Sequence, residues 1–189
     1  MEASVVYESM FGNTRQIAEA VADGIRDADP SARVTVARTG SAKPDEATAG
    51  YLLVVGGPTH MLRMSSPRSR QQGLQAAQKT AGQPHHNLEP GAAGPGMREW
   101  LLALPPARPG RRAAAFDTRL PSRLAGGAAR SAARELRKHG YQLAAGPEGF
   151  MVTGSEGPLR DGELDRARKW GAGLARQAAA QREGCSDER

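Results

Sequence analysis

Short polar side chains are concentrated at one point near the start of the chain, between an apolar run and a helical pattern. Ser9, Asn13 and Thr14 lie there around Gly12, and all three polar side chains can donate hydrogen bonds. The helix that follows would direct its free N–H groups and positive dipole end at the same segment. Gly12 would let the backbone turn and approach a ligand closely. This combination predicts an anion site that suits a phosphate group.

Other phosphate motifs do not occur at this place. No GxGxxG follows the apolar run, and no GxxxxGK[ST] occurs in the chain, which excludes a dinucleotide fingerprint and a Walker P-loop. A loop with a cysteine nucleophile is excluded because the only cysteine, Cys185, lies near the C-terminus. An ordinary N-cap would account for one polar residue, but three of them with Gly12 favour a bound phosphate.

A sheet and helices must position these residues, and the apolar residues are distributed accordingly. Leu, Ile, Val and Phe number only 28 of 189 residues, which is low for a globular domain. They occur in short runs, and the continuous run from Tyr51 to Val55 is typical of a buried strand. Helical spacing separates the runs, as at Ile17, Val21 and Ile25. Further strands are predicted near 34–36, 113–116 and 141–152, and further helices over 97–104, 125–139 and 159–180.

This alternation of strands and helices predicts an α/β fold with a parallel sheet covered on both faces. We expect one domain over residues 1–180 and a flexible tail over 181–189. Residues 62–95 read as an insertion after the third strand. Ser66 and Pro67 have the residue types of a helix start, and a polar helix could follow over 71–81. The insertion is either a lid over the ligand or an element packed elsewhere.

The first loop resembles the FMN-phosphate loop of the flavodoxin-like family, whose pattern is Thr/Ser-x-Thr-Gly-x-Thr. The segment Ser9-Met10-Phe11-Gly12-Asn13-Thr14 matches this pattern at Ser9, Gly12 and Thr14, and departs from it at Phe11. The resemblance extends over most of residues 3–180. It implies a three-layer, doubly wound five-stranded parallel sheet in the order 2-1-3-4-5, with FMN as the cofactor.

The same resemblance implies two further loops that hold the flavin ring. The loop after the third strand would contribute Pro58, Thr59, His60 and Met61, and the loop after the fourth would contribute Asp117, Thr118 and Arg119. Each has a plainer interpretation, since His60 could cap its turn and Asp117 could pair with Arg119. Apart from Phe116 the ring loops contain no aromatic residue, so His60, Met61 and Leu120 are the candidates for ring contact.

The formal charge of +6 is distributed unevenly. Residues 47–88 contain four basic residues and no acid, and residues 105–134 contain seven arginines against the single acid Asp117. We therefore expect a redox partner protein with an acidic docking surface. Nucleic acid is not expected, because aromatic residues are few and no nucleic-acid motif occurs. The single cysteine and the lack of a membrane-length apolar run favour a cytoplasmic location.

Three functions remain open from the residues and the resemblance. The first is an FMN-binding electron carrier. The second is an FMN-dependent NAD(P)H:quinone reductase of the same fold, in which NAD(P)H and a quinone replace the partner protein. The third is a flavin-free phosphate-binding or regulatory module. No residue has the pattern of a dedicated acid, base or nucleophile, so the residue types are compatible with an enzyme and with a carrier.

Overall fold

The computed structural model describes residues 1–60, 63–79, 88–121 and 126–184. Its strands are β1 (Glu2–Tyr7), β2 (Arg33–Arg38), β3 (Leu52–His60), β4 (Arg63–Met64), β5 (Arg112–Arg119), β6 (Gln142–Leu143) and β7 (Glu148–Met151). Its helices are α1 (Asn13–Ala28), α2 (Pro44–Ala47), α3 (Pro67–Lys79), α4 (Met97–Leu102), α5 (Ala128–Lys138) and α6 (Glu163–Gly184).

The sheet has the order β2-β1-β3-β5, and its fifth position is shared by β6 and β7. Strand β6 pairs with the first half of β5 and β7 pairs with the second half. Both pairings are parallel. With the divided strand counted once, the observed order confirms the predicted 2-1-3-4-5 order. The fifth strand is divided at 144–147, where Pro147 has no N–H to donate to a ladder. The short strand β4 adds an antiparallel pair at the end of β3.

Successive side chains of the central strands enter two different cores. Val5, Val54 and Phe116 pack with residues of α1 and α6 on one face of the sheet. Val6 and Val55 pack with residues of α4 and α5 on the other face. Because strand side chains alternate between faces, the continuous apolar runs of the sequence supply both cores at once. The predicted three-layer α/β fold is confirmed.

Small residues allow α1 and α6 to approach closely. A Cβ atom on Gly24 would lie 1.9 Å from the carbonyl oxygen of Arg168, and one on Gly171 would lie 2.1 Å from that of Val21. Buried alanines line both helices next to these crossings. The scarcity of large apolar residues is therefore compatible with a dense core, since small side chains bring the backbones together.

Strands β3 and β5 extend further than the sequence predicts. The third strand was expected to end at Val55, but it continues to His60 because residues 56–58 pair with residues 116–118 of β5. The last two residues of β3 then pair with β4. The described residues of the two predicted ring loops therefore belong to the carboxyl ends of the neighbouring strands β3 and β5.

The helix within the predicted insertion begins at Pro67, four residues before the predicted polar helix. The backbone N–H of Ser69 donates to Ser66 Oγ at 3.2 Å, and the backbone N–H of Ser66 donates to Ser69 Oγ at 2.8 Å. This reciprocal pair confirms Ser66 and Pro67 as the helix start. The division into one domain and a tail stays a prediction. Within the described ranges, no helix combines the length and the apolarity that crossing a bilayer requires.

Candidate functional site

A cavity of about 520 Å³ opens at the carboxyl ends of β1, β3 and β5. The chain reverses its direction of strand addition between β1 and β3, and ligands of open parallel sheets bind at such switch points. Most of the predicted site residues line this cavity. They are Ser9, Met10, Phe11, Asn13, Thr14, Pro58, Thr59, His60, Thr118 and Arg119.

The loop after β1 leaves the amino end of α1 open. Gly12 is the N-cap residue, with φ of +88°, and no side chain caps the helix. The hydroxyl of Ser9 accepts a hydrogen bond from the Gly12 N–H at 3.1 Å, which fixes the loop and leaves the Ser9 proton free to donate. A sixteen-residue helix thus presents uncapped N–H groups beside the cavity, which is the arrangement that binds anions.

Two other loop side chains tie the loop to neighbouring elements. Thr14 Oγ1 lies 2.7 Å from Thr118 Oγ1, and both hydroxyls are buried. Only one of the two protons is used in that bond, so the other hydroxyl can donate to a ligand. Asn13 Nδ2 donates to the carbonyl oxygen of Glu156 at 2.9 Å. Neither contact can be predicted from the sequence pattern, since the partners lie 104 and 143 residues away along the chain.

The end of the insertion packs on the outer side of the same loop. The backbone N–H of Glu89 donates to the Met10 carbonyl oxygen at 2.9 Å. The Glu89 carboxylate accepts from Arg15 Nε at 2.5 Å and from Arg38 Nη2 at 3.0 Å. Arg38 also donates to the Ser9 carbonyl oxygen. The two guanidinium groups offset the negative charge of Glu89, so the carboxylate does not oppose an anion at the loop.

His60 lies at the end of β3 between the cavity and α3. Its Nδ1 is 3.3 Å from the hydroxyl of Ser69. Burial lowers the pKa of His60, the charge of Glu8 opposes this shift, and the charge of Arg70 adds to it. The imidazole is therefore neutral at pH 7 and can act as a donor or acceptor without adding charge to the cavity.

Asp117 does not line the cavity, although it was predicted to contact the cofactor. Its side chain is fully buried, and Oδ2 accepts from the Ala129 N–H at 2.9 Å and from Thr59 Oγ1 at 3.0 Å. Asp117 thus caps α5 and holds Thr59 in place. Burial raises the pKa of Asp117, while its hydrogen bonds and Arg119, whose Nε is 3.5 Å from Oδ1, act against that rise.

We expect Asp117→Ala to lower the free energy of unfolding by about 2 kcal/mol, because buried donors lose their acceptor. Asp117→Asn should cost less, since the amide oxygen can still accept. Because the pKa of folded Asp117 lies above the unfolded value, the wild type should gain stability relative to Asp117→Asn as the pH falls from neutral towards 4. Urea unfolding of the three proteins across this range measures both effects. A difference in unfolding free energy between the wild type and Asp117→Asn that stays constant with pH would contradict the raised pKa of Asp117.

Besides Asp117, one other described residue of the predicted site does not line the cavity, and the structure adds others to its wall. Gly12 shapes the loop without lining the cavity, and Met61 falls outside the described residues. Phe116, the one aromatic of the predicted ring loops, is fully buried in the core. The residues that the sequence reasoning missed include the cavity-facing side of α3 and the segment after β7. They are Ser69, Gln72, Gly73, Ala76, Gly126, Val152, Ser155 and Glu156.

The sequence indicated where α3 begins, but it did not indicate where α3 packs. The helix start at Ser66 and Pro67 was readable, whereas the choice between a lid and a separately packed element depended on tertiary contacts. The structure places α3 along the cavity, with Gln72 and Gly73 in its wall. The segment after β7 carries no motif that could have indicated its part in the cavity.

This chain resembles known proteins in its fold more than in its overall sequence. No protein-family model matches it, and no curated protein matches it at a significant level. Solved structures do resemble it at low sequence identity. The comparison of folds therefore rests on the arrangement of the backbone.

Three structures illustrate the likeness. A flavodoxin from the domain Archaea is 23% identical, with a TM-score of 0.62 over 95% of this chain and 99% of that one. Flavodoxin 2 from Bacillus cereus is 16% identical, with a TM-score of 0.62 over 94% and 99% of the two chains. A flavodiiron core from Synechocystis is 19% identical, with a TM-score of 0.61, and the match covers 95% of this chain but 36% of that one. The sheet order, the helical layers and these likenesses together show that the chain has the flavodoxin-like fold.

Proposed function

We propose that the chain binds FMN in the cavity and serves as an electron carrier. The observation that carries this proposal is the uncapped amino end of α1 beside a cavity of about 520 Å³. That volume lies in the range of sites for ligands of cofactor size. The sequence resemblance to a flavin-phosphate loop and the fold likeness to flavodoxins point to the same ligand.

The residues present fit a phosphorylated ligand at one end of the cavity. The N–H groups at the start of α1 and the hydroxyls of Ser9 and Thr14 would hold the phosphate. Their donors compensate for Phe11, which stands where the resembling loop has a third hydroxyl. The adjacent carboxylate of Glu89 is already neutralised by two arginines, so it would not repel the phosphate.

The rest of the cavity lining fits a flat, mostly apolar ring. Met10, Leu120 and Ala76 supply apolar surface, while His60 and Gln72 supply hydrogen-bonding groups. Bound FMN would supply reversible electron transfer, and the protein would orient the ring and exclude water from it. The guanidinium of Arg119 lies in the wall, and although Asp117 offsets part of its charge, its N–H groups would favour a ring that has gained negative charge.

Titration of the purified apoprotein with FMN tests the proposal. We expect the visible absorption bands of flavin to change on binding and the melting temperature to rise. At FMN concentrations of about 100 Kd, mass action adds about 2.7 kcal/mol. For a chain of this length, that corresponds to a shift of about 5–10 °C.

Riboflavin, which lacks the phosphate, is the matched control, and it should bind far more weakly. Equal affinity for riboflavin would contradict phosphate recognition by the loop after β1. A colourless protein whose melting temperature responds to inorganic phosphate but not to FMN would instead identify the flavin-free phosphate-binding module.

One observation favours a second candidate, an FMN-dependent NAD(P)H:quinone reductase. Helix α3 places Ser69 and Gln72 in the cavity wall, next to His60, so a small substrate would meet polar groups there. Turnover of NADPH with a quinone, without any added reductase, would identify the enzyme. Flavin reduction that requires a separate reductase would support the carrier.

A further inference from the structure

Four exposed arginines form a positively charged surface beside the cavity. Three of them, Arg130, Arg134 and Arg137, lie on the solvent side of α5, and the fourth, Arg63, lies on β4. The buried side of α5 consists of alanines and Leu136, so packing dictates that the arginines face solvent. We refer to these four arginines as the basic face.

The basic face begins at the mouth of the cavity. Arg63 is in register with the cavity residue His60 across the β3–β4 pair. The first N–H of α5, that of Ala128, donates to the hydroxyl of the cavity residue Thr59 at 2.8 Å, which places the Arg130 turn at the same edge. Leu120, which lines the cavity, is 46% exposed and gives this rim an apolar contact point.

The basic face carries net positive charge, because Glu135, the one carboxylate of α5, pairs with Lys138. Among the described residues, no carboxylate forms an ion pair with any of these four arginines. On the opposite side of the sheet, Arg26 pairs with Asp23 and Arg168 pairs with Asp27, whereas Arg176 has no ion pair among the described residues. The arginines of α5 span about 10 Å along the helix axis. This is about one Debye length at physiological salt, so the charges act together on an approaching molecule.

We propose that the basic face docks the electron-transfer partner of this protein through a carboxylate-rich surface on that partner, with Leu120 at the point nearest the cofactor. This inference rests on the proposed FMN function and adds where the partner binds and which charge it carries. Arginine forks match carboxylates in geometry, and charge complementarity at a rim accelerates association.

A nucleic acid is the competing ligand for a basic surface, and the described surface does not favour it. The large exposed hydrophobic side chains in the described ranges are all leucines, and the basic face contains no aromatic residue on which bases could stack. The basic face also begins at the mouth of the cavity, where an electron-transfer partner must approach.

The test compares two charge-reversed variants of the FMN-loaded protein. Arg130→Glu/Arg134→Glu reverses two charges of the basic face, and Lys169→Glu/Arg176→Glu makes the same change in net charge on exposed positions of α6. The partner surrogate is an acidic [2Fe–2S] ferredoxin, and a single-stranded DNA oligonucleotide is the competing ligand. Surface plasmon resonance at low and at high salt gives the association rate and Kd for each pair.

We expect the basic-face variant to bind the ferredoxin at least about tenfold more weakly at low salt, mainly through slower association. The α6 variant should remain close to the wild type, and high salt should remove the difference. Equal weakening of both variants, or no ferredoxin complex with the wild type at low salt, would overturn the proposal. The proposal would also be overturned if the wild type bound the oligonucleotide more tightly than the ferredoxin and the basic-face variant lost that binding. Nucleic acid would then be the ligand of the basic face.

Titration with FMN separates this proposal from the one on which it rests. Neither Arg130 nor Arg134 lines the cavity, so both variants should bind FMN as the wild type does. A wild type that fails to bind FMN would refute the cofactor proposal directly. A wild type that binds FMN, with a ferredoxin complex that does not respond to charge reversal at α5, would refute the docking surface alone.

Discussion

A Gly12→Val variant is expected to bind FMN about 30-fold more weakly than the wild type, which corresponds to about 2 kcal/mol. Gly12 has φ of +88°, a conformation that a β-branched residue adopts only under strain. A Cβ atom there would lie 3.4 Å from Glu89 Oε1, so the branches of valine would press on that carboxylate. Relief of either conflict moves the loop and displaces the N–H groups of α1 from the phosphate. Fluorescence titration with FMN measures the loss.

Gly110→Val is the matched control for this experiment. Gly110 also has positive φ, +77°, and a Cβ there meets nothing within 4 Å. It lies just before β5, at the amino ends of the strands, whereas the cavity lies at their carboxyl ends. Both variants should lose stability from backbone strain, but only Gly12→Val should lose FMN affinity. Equal FMN affinities in the two variants would place the phosphate away from the loop after β1.

Gly56→Ala is expected to lower the free energy of unfolding by about 3 kcal/mol. A Cβ atom on Gly56 would lie 2.0 Å from Phe116 Cζ. The Phe116 ring cannot move aside easily, because it is fully buried and packs edge-on against Phe150 and Trp170 at centroid distances of 6.0 and 6.2 Å. The new methyl group must therefore displace a strand or an aromatic ring. Chemical denaturation monitored by tryptophan fluorescence measures the change.

Gly57→Ala tests whether the loss of stability comes from the contact with Phe116 or from any substitution in the Gly56-Gly57 pair. A Cβ on Gly57 would meet Met97 Cβ at 3.5 Å and Glu8 Cβ at 3.8 Å, which are ordinary contacts. Its stability should stay within about 1 kcal/mol of the wild type, since alanine also restricts the unfolded chain. A loss at Gly57 as large as that at Gly56 would contradict the packing described for Phe116.

The two glycine predictions concern different properties of the same sheet edge. Gly12 gives the loop after β1 its shape, and Gly56 lets β3 lie against the large ring from β5. The first should change ligand affinity and the second should change stability. A measurement of both quantities on both variants therefore separates the site from its support.

The sequence predicted the fold well because local patterns control it. Continuous apolar runs indicated strands buried on both faces, and helical spacing between them indicated crossover helices. The order of these elements indicated a parallel sheet covered on both faces, and the resemblance of the first loop implied its doubly wound order. The helix start at Ser66 and Pro67 was readable for the same reason, since a cap depends on neighbouring residues.

The ends of β3 and β5 were less predictable. Residues 56–60 contain glycine and proline, which usually indicate a turn. They form strand because β5 and β4 pair with them from either side. Asp117 changed its expected role for a related reason, because the α5 backbone that it caps begins eleven residues later in the chain.

The sequence by itself determined the main strands and crossover helices, their order and the polar loop from Ser9 to Thr14, because each depends on residues close together in the chain. Only the tertiary structure decided which side chains share the cavity and which serve as supports. It placed α3 in the cavity wall and Asp117 under the start of α5, and it brought Arg63 and the first turn of α5 to the rim. These placements follow from long-range packing and burial, which a linear pattern of residue types does not encode.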